Sequence, residues 1–254
     1  CLQCKLTPYA IICEPLTSLL CLLVRSPPSN RRFLMTAEKP AAPRPSLDKA
    51  LILQAALRLA DASGIEALSM RRLGQALGVE AMSLYRHVAN KNELLDGLVE
   101  LVVSEISLPP ANDNWRAAMR ARATSAHQAL LRHPWATLLM MSRANVGPMM
   151  LRYVDATIGC LREAGFSYPV ADHAWNAIDN HIYGFTLQKL NFPFEPGEYA
   201  AVAKEFLPMI PAAQYPYLHG MPQQVISGAH DGLHDFSFGL ELILDGLERL
   251  RSAD

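Results

Sequence analysis

An excess of charge of either sign is missing from this chain: across 254 residues, 23 Lys and Arg stand against 24 Asp and Glu, a formal balance of −1. A protein that binds polyanions indiscriminately needs surplus cations, so any basic character that matters here is local. Cysteine is scarce where a folded body would lie. Cys1, Cys4, Cys13 and Cys21 crowd the first stretch and only Cys160 comes later, so no disulfide framework is needed and a cytoplasmic setting is expected. Alternating apolar and polar runs are missing from residue 112 onward, which argues against a sheet. The apolar run Leu16 to Val24 falls short of the roughly 20 residues that cross a bilayer, and no small-residue cleavage site follows it before Pro27 and Pro28. Gly-rich phosphate loops, nucleophile elbows and HExxH helices are also lacking. No cofactor is expected.

What is present begins after a lead-in. Residues 1–46 carry no sustained helical pattern and read as an extension, with Met35 to Pro40 resembling a natural start. Lys39 to Pro45 is a Pro/Ala arm whose Lys39 and Arg44 suit a flexible lead or a brush with phosphate. Ser46 then opens a helix in which Ile52, Ala55, Ala56 and Leu59 share a face, ending at Gly64.

The next segment holds two short helices joined at a glycine. Ser69 can cap a helix burying Met70, Leu73 and Leu77, and Gly78 can take the left-handed conformation that ends it. In the second helix Val79, Leu84 and Val88 face inward. Ala81, Met82, Ser83, Tyr85, Arg86 and His87 are left outside, where an ordinary solvated helix would carry more Glu and Lys. Asn90 caps a long helix, 91–107, with Glu93 placed to reach back to its amide and a stripe of Leu94, Leu95, Leu98, Val102 and Ile106. Between Met70 and Lys91 the cations Arg71, Arg72, Arg86 and Lys91 face one anion, Glu80. That asymmetry suits an edge that meets phosphate, although alone it would equally describe a solvated face.

This ordered set, with the Gly64-Ile65 step, Leu77-Gly78-Val79, Leu84-Tyr85-Arg86-His87-Val88 and Asn90-Lys91, resembles the DNA-binding domain of the tetracycline-repressor (TetR) family of bacterial transcription regulators over residues 47–107. The resemblance implies that Arg71 reaches a guanine edge and that Ala81, Met82, Ser83, Tyr85, Arg86, His87 and Lys91 lie along bases and phosphates of double-stranded operator DNA. Ala81 and Met82 stand where the tetracycline repressors have Gln and Pro, and Arg86 replaces a Trp, so their operator does not carry over.

From residue 108 to 254 a larger all-α domain for effector binding and dimerisation is expected. Trp115, Ala118, Met119, Arg122, Ala126, Ala129 and Leu130 trace one helix, which His133-Pro134 breaks, and further helices are predicted near 138–141, at 148–164 and at 170–190. Residues 191–222 read as a proline-rich connection holding a helix from Glu198 to Phe206, and a final helix spans 229–250. In that last helix Leu233, Phe236, Leu240, Ile243, Leu244, Leu247 and Leu250 hold one face, beside Gly232, Gly239 and Gly246. Glycine inside a helix costs about 1 kcal/mol relative to alanine, so such a line implies a close neighbour. The family resemblance implies a homodimer built from 170–190 and 229–250, with Gly232, Gly239, Leu240, Gly246 and Leu247 at the interface. A helix of the same chain remains an alternative neighbour.

Two other chemistries compete with this one. His230, Asp231, His234 and Asp235 form pairs four residues apart, which on a helix could ligate a metal for a hydrolase; no further ligand completes the shell, and the helix-turn-helix would be unexplained. A ligand-sequestering module without DNA binding is disfavoured by Arg71, Tyr85 and Lys91. For a repressor, the effector candidates are Ser107, Trp135, Met140, Met141, Tyr153, Trp175, Asn176, Asn180, Tyr183 and Phe185, a mostly apolar set with a few amides and hydroxyls. Alignment with the tetracycline repressors puts Ser107 where they hold the drug with a histidine, which implies an apolar or aromatic effector rather than magnesium-tetracycline.

Overall fold

A computed structural model describes residues 47–110 and 114–251, and among these every regular element is helical. The expected extension, its arm and Ser46 lie outside the described residues. The first helix, α1 (Lys49–Ser63), is capped by Asp48, whose Oδ1 accepts from Leu51 N at 2.8 Å. Ile52, Ala55, Ala56 and Ala60 are buried, while Leu59 packs at the margin. Then come α2 (Met70–Leu77), α3 (Ala81–Leu84) and α4 (Lys91–Ser104), the last ending three residues sooner than the expected 107.

Six residues of α4 are buried, on a face broad enough to serve two sets of neighbours. It packs on α1 and also on α5 (Trp115–Arg132), α6 (Ala136–Ser142) and α7 (Pro148–Glu163). The Glu100 carboxylate of α4 accepts from the Met149 and Met150 amides at 2.8 and 3.0 Å, meeting the free N–H groups at the start of α7. α4 is thus tied at one end to the reading elements and farther along to the body.

α5 turns Trp115, Ala118, Met119, Arg122, Ala126, Ala129 and Leu130 inward, as its spacing predicts. α7 ends near Gly165, and α8 (Tyr168–Asn191) follows with Ala171, Ala174, Ile178 and Ile182 buried. The proline-rich connection holds more than expected. Besides α9 (Tyr199–Phe206) it forms α10 (Pro216–Ile226), which tolerates Pro216 in its first turn and carries Pro222 inside. Pro222 forfeits a helical hydrogen bond and α10 buries no residue, so packing on α9 sustains it.

The final helix, α11, spans Phe236–Arg251 and not 229–250. Asp231 Oδ1 accepts from Leu233 N at 2.9 Å in a local turn that competes with helix, and Asp235 Oδ1 accepts from Ser237 N at 2.8 Å, capping the start of α11. Gly232 therefore lies in a loop with φ 75°, packed near Val225 and Tyr199, which breaks the seven-residue glycine line. Leu240 and Leu247 face the chain's own core. Gly239 has its close neighbour in the same chain: a Cβ there would sit 2.5 Å from a His181 ring carbon. Only Gly246 of the expected interface set stays clear of such packing.

Candidate DNA-reading surface and effector site

The reading surface is assembled by short-range caps. Ser69 Oγ accepts from Arg72 N at 3.2 Å, and Gly78 closes α2 at φ 68°, returning its N–H to the helix's last carbonyls. That left-handed turn brings α3 back across α2 at once. Leu84 and Val88, both fully buried, hold the segment down. Only four residues are α-helical, and Tyr85 to His87 continue as a turn.

Anchoring at 84 and 88 leaves Met82 74% and Tyr85 43% exposed, with Arg71, Arg86 and Lys91 also in solvent. No hydrogen bond or ion pair engages the side chains of these three cations among the described residues. Arg72 differs, since its Nη1 donates to Ala67 O at 3.2 Å. Three expected outward residues are less free. Ala81 packs against the core, and Ser83 and His87 are half-buried, because the short segment rests on α2. Asn90 Oδ1 accepts from Glu93 N at 2.9 Å, while Glu93 reaches the Ala89 amide at 2.6 Å and not that of Asn90. Lys49 meets the same carboxylate at 2.5 Å, and these contacts hold it below the usual carboxylate range, Lys49 contributing most. The start of α4 is thereby fixed to the start of α1.

In the body, the expected effector residues part company. Tyr153, Trp175 and Tyr183 converge on a pair that type-based reading passed over, Arg122 and Asp179. Arg122 Nη2 meets Asp179 Oδ1 at 2.5 Å with the arginine side chain wholly buried, and its guanidinium lies 4.7 Å from the centre of the Tyr153 ring. Asp179 Oδ2 accepts from Trp175 Nε1 at 2.8 Å and from Tyr183 OH at 3.4 Å. Burial raises the pKa of both tyrosine hydroxyls and Asp179 adds to it, with Arg122 opposing the rise at Tyr153, so both are neutral at pH 7 and Tyr183 is a donor to Asp179. The available signal was a lone cation on the alanine-rich inner stripe of α5.

The other candidates lie elsewhere. Asn176 and Asn180 are exposed, because they sit opposite the Ala171, Ala174, Ile178 and Ile182 stripe; Asn176 bonds back to Asp172 O at 2.8 Å. Met141 is 56% exposed and Met140 is buried. Ser107 is exposed, its amide bonded to Ser125 Oγ at 2.9 Å. Trp135 belongs to a joint with α1, donating to Asp61 Oδ1 at 2.8 Å.

Phe185 lies farther along α8. With Phe192, Phe194, Tyr199, Lys189 and His234 it lines a cavity of about 340 Å³. Between this cavity and Arg122 stands an aromatic group: His127 stacks on Phe236 at 4.4 Å, meets Phe185 edge-on at 5.6 Å and bonds Thr186 Oγ1 at 2.7 Å. Burial, with Lys189 and His181 adding to it, pushes the His127 pKa down to about 4.

His230 and His234 lie in the non-helical segment before Phe236, so the pairs required by the hydrolase alternative do not share a helix face. Among the described residues no three His, Cys, Asp or Glu are grouped to hold a metal, and no helix is long and apolar enough to cross a membrane.

Comparison with known proteins agrees with both halves. Residues 52–98 match the family described as bacterial regulatory proteins, tetR family, and residues 108–251 match the tetracyclin repressor-like C-terminal domain. The transcriptional repressor DrrR1 of Streptomyces coeruleorubidus is 32% identical over 85% of this chain and 83% of its own length. The class A tetracycline repressor protein of Escherichia coli is 31% identical, over 79% of this chain and 90% of its own. Among solved structures, Streptomyces coelicolor ActR in complex with actinorhodin superposes with a TM-score of 0.69 at 28% identity, covering 81% of this chain and 98% of that one.

Proposed function

The chain belongs to the TetR family of bacterial transcription regulators, and from that premise we propose that it is a homodimeric repressor released from a palindromic operator by a small aromatic effector. The observation that carries the DNA half is the free face above Leu84 and Val88, where Met82, Tyr85 and Arg86 stand outward with Arg71 and Lys91 beside them. In this reading Arg71 takes a base edge, Met82, Tyr85 and Arg86 line the major groove, and Lys91 meets phosphate. Ala81, Ser83 and His87 contribute at closer range. The two reading heads of a dimer serve half-sites roughly 34–36 Å apart.

Dimerisation is assigned to the outer faces of α8 and α11. Phe238, 68% exposed, and Leu242, 58% exposed, lie one turn apart on α11 near Gly246 and support that assignment. The effector half rests on the aromatic cavity and the Tyr153, Trp175 and Tyr183 cluster, and it has a parallel in ActR, solved with actinorhodin. An effector that alters the packing of α7 and α8 acts on α4 through Glu100 and the start of α7, and α4 carries the reading head. Ser107 offers a short hydroxyl where the tetracycline repressors have a histidine, which favours an organic ligand other than magnesium-tetracycline.

Selection of bound fragments from genomic DNA, followed by gel-shift titration at fixed salt, tests the proposal. Arg71→Ala and Tyr85→Ala are expected to lose specific affinity, by about 1–3 kcal/mol for a good base contact. Wild-type affinity in both variants would refute the reading surface.

A further inference from the structure

We propose that Arg122 is the anchor for a neutral oxygen acceptor on the effector, a carbonyl conjugated with an aromatic ring system; this rests on the effector-responsive reading above. A guanidinium carries five N–H donors, and in Arg122 those on Nε and Nη1 are buried without an acceptor among the described residues. Its carboxylate partner meets it through one nitrogen and spends its second oxygen on Trp175 and Tyr183. A pair meant only to join α5 to α8 would gain more from the two-pronged contact that arginine and carboxylate readily form.

Charge and hydrogen bonding give different answers about what is missing. One cation and one carboxylate already balance, so an incoming anion would bring an uncompensated charge into a site without solvent. Lone pairs are what the site lacks. A ketone or quinone oxygen supplies them without charge, and the rings of Tyr153, Trp175 and Tyr183 offer apolar faces to the system that carries it.

Access follows the order of residues along two helices that run alongside each other. Arg122 pairs with Asp179, and His127 pairs with Thr186, one to two turns farther along both. The open cavity at Phe185 and Lys189 comes next. A ligand seated in that cavity therefore reaches Arg122 by displacing the rings of His127, Phe185 and Phe236. The aromatic stacking that closes the passage is exchanged for stacking on the ligand.

The test uses the full chain and three probes of one ring skeleton: 9-fluorenone, fluorene and fluorene-9-carboxylate, titrated by quenching of tryptophan fluorescence. The ketone is expected to bind at least tenfold more tightly than the hydrocarbon, with the carboxylate weaker than the ketone. Arg122→Met should bring the ketone to the level of the hydrocarbon. Because that variant leaves Asp179 unpaired, Arg122→Met combined with Asp179→Leu is measured beside it, and the same loss of ketone preference is expected. Equal binding of ketone and hydrocarbon to the wild type would overturn the anchor while leaving an aromatic effector site standing. Preference for the carboxylate would overturn the neutral acceptor, and a ketone preference that survives in the double variant would overturn Arg122. Failure of all three probes to bind would overturn the ligand class, and the operator measurements would still judge the regulator by themselves.

Discussion

Asp61 lies on α1, the first helix of the reading head, yet its carboxylate serves the body. One oxygen, Oδ1, accepts from His133 Nδ1 at 2.7 Å and from Trp135 Nε1 at 2.8 Å. His133 is 6% and Trp135 8% exposed, so neither donor has ready access to water once the carboxylate is gone. Leaving a buried donor unmet costs about 1–3 kcal/mol. Because the Asp61 side chain itself is 30% exposed, water entering the space left by Asp61→Ala can serve part of the need, and the lower half of the range applies. Two donors at that level predict a loss of about 2–4 kcal/mol. Asp61→Asn keeps an oxygen in the same place and should lose about 1 kcal/mol or less, the difference reflecting charge. Urea unfolding of both variants at pH 7 reads these numbers directly. If Asp61→Ala unfolds within 0.5 kcal/mol of wild type, or if the asparagine variant is the weaker of the two, the joint does not join head to body as described.

Gly239→Leu should destabilise each subunit by about 1–3 kcal/mol, since its Cβ would press into the His181 ring and strain the bond from that ring to Phe236 O at 2.8 Å; an unchanged melting temperature would show that this contact is slack. His127 predicts acid sensitivity with a definite window. Its folded pKa of about 4 lies below the ordinary 6.5, so its neutral form contributes full stability above pH 6.5, and that contribution is lost as pH falls toward 4. In urea unfolding across this window, His127→Gln should flatten the pH dependence relative to wild type, and parallel curves would refute the assignment.

The reading head was legible because its determinants are local. Ser69 lies three residues from the amide it caps, Asn90 three from Glu93, and Gly78 ends the helix it follows. Each signal can be read from a short window with no knowledge of the rest. The body's errors share the opposite cause. Pro216 and Pro222 look like breakers until α9 supplies the packing that holds α10 together. Gly232 falls on the periodicity of Gly239 and Gly246, but Asp231 closes a local turn around it and Asp235 caps α11 after it, and hydrophobic spacing registers neither.

The effector candidates divide for a different reason: Tyr153, Trp175 and Tyr183 face Arg122 and Asp179, whereas Asn176 and Asn180 face away. Residue type carries no direction, and the Ala171, Ala174, Ile178 and Ile182 stripe turns Asn176 and Asn180 outward. The same stripe logic on α5 put Arg122 inside, among Ala118, Met119, Ala126 and Ala129. A buried arginine demands a partner of opposite charge and further acceptors. The partner, Asp179, lies 57 residues away, at a distance no sequence window spans. The unmet donors of Arg122 are the more informative part. An apolar core residue in that place would avoid the desolvation cost, and the arginine retained there restricts the chemistry of any ligand that reaches it. In this body the residue that breaks the hydrophobic pattern says more about the effector than the aromatic residues that complete it.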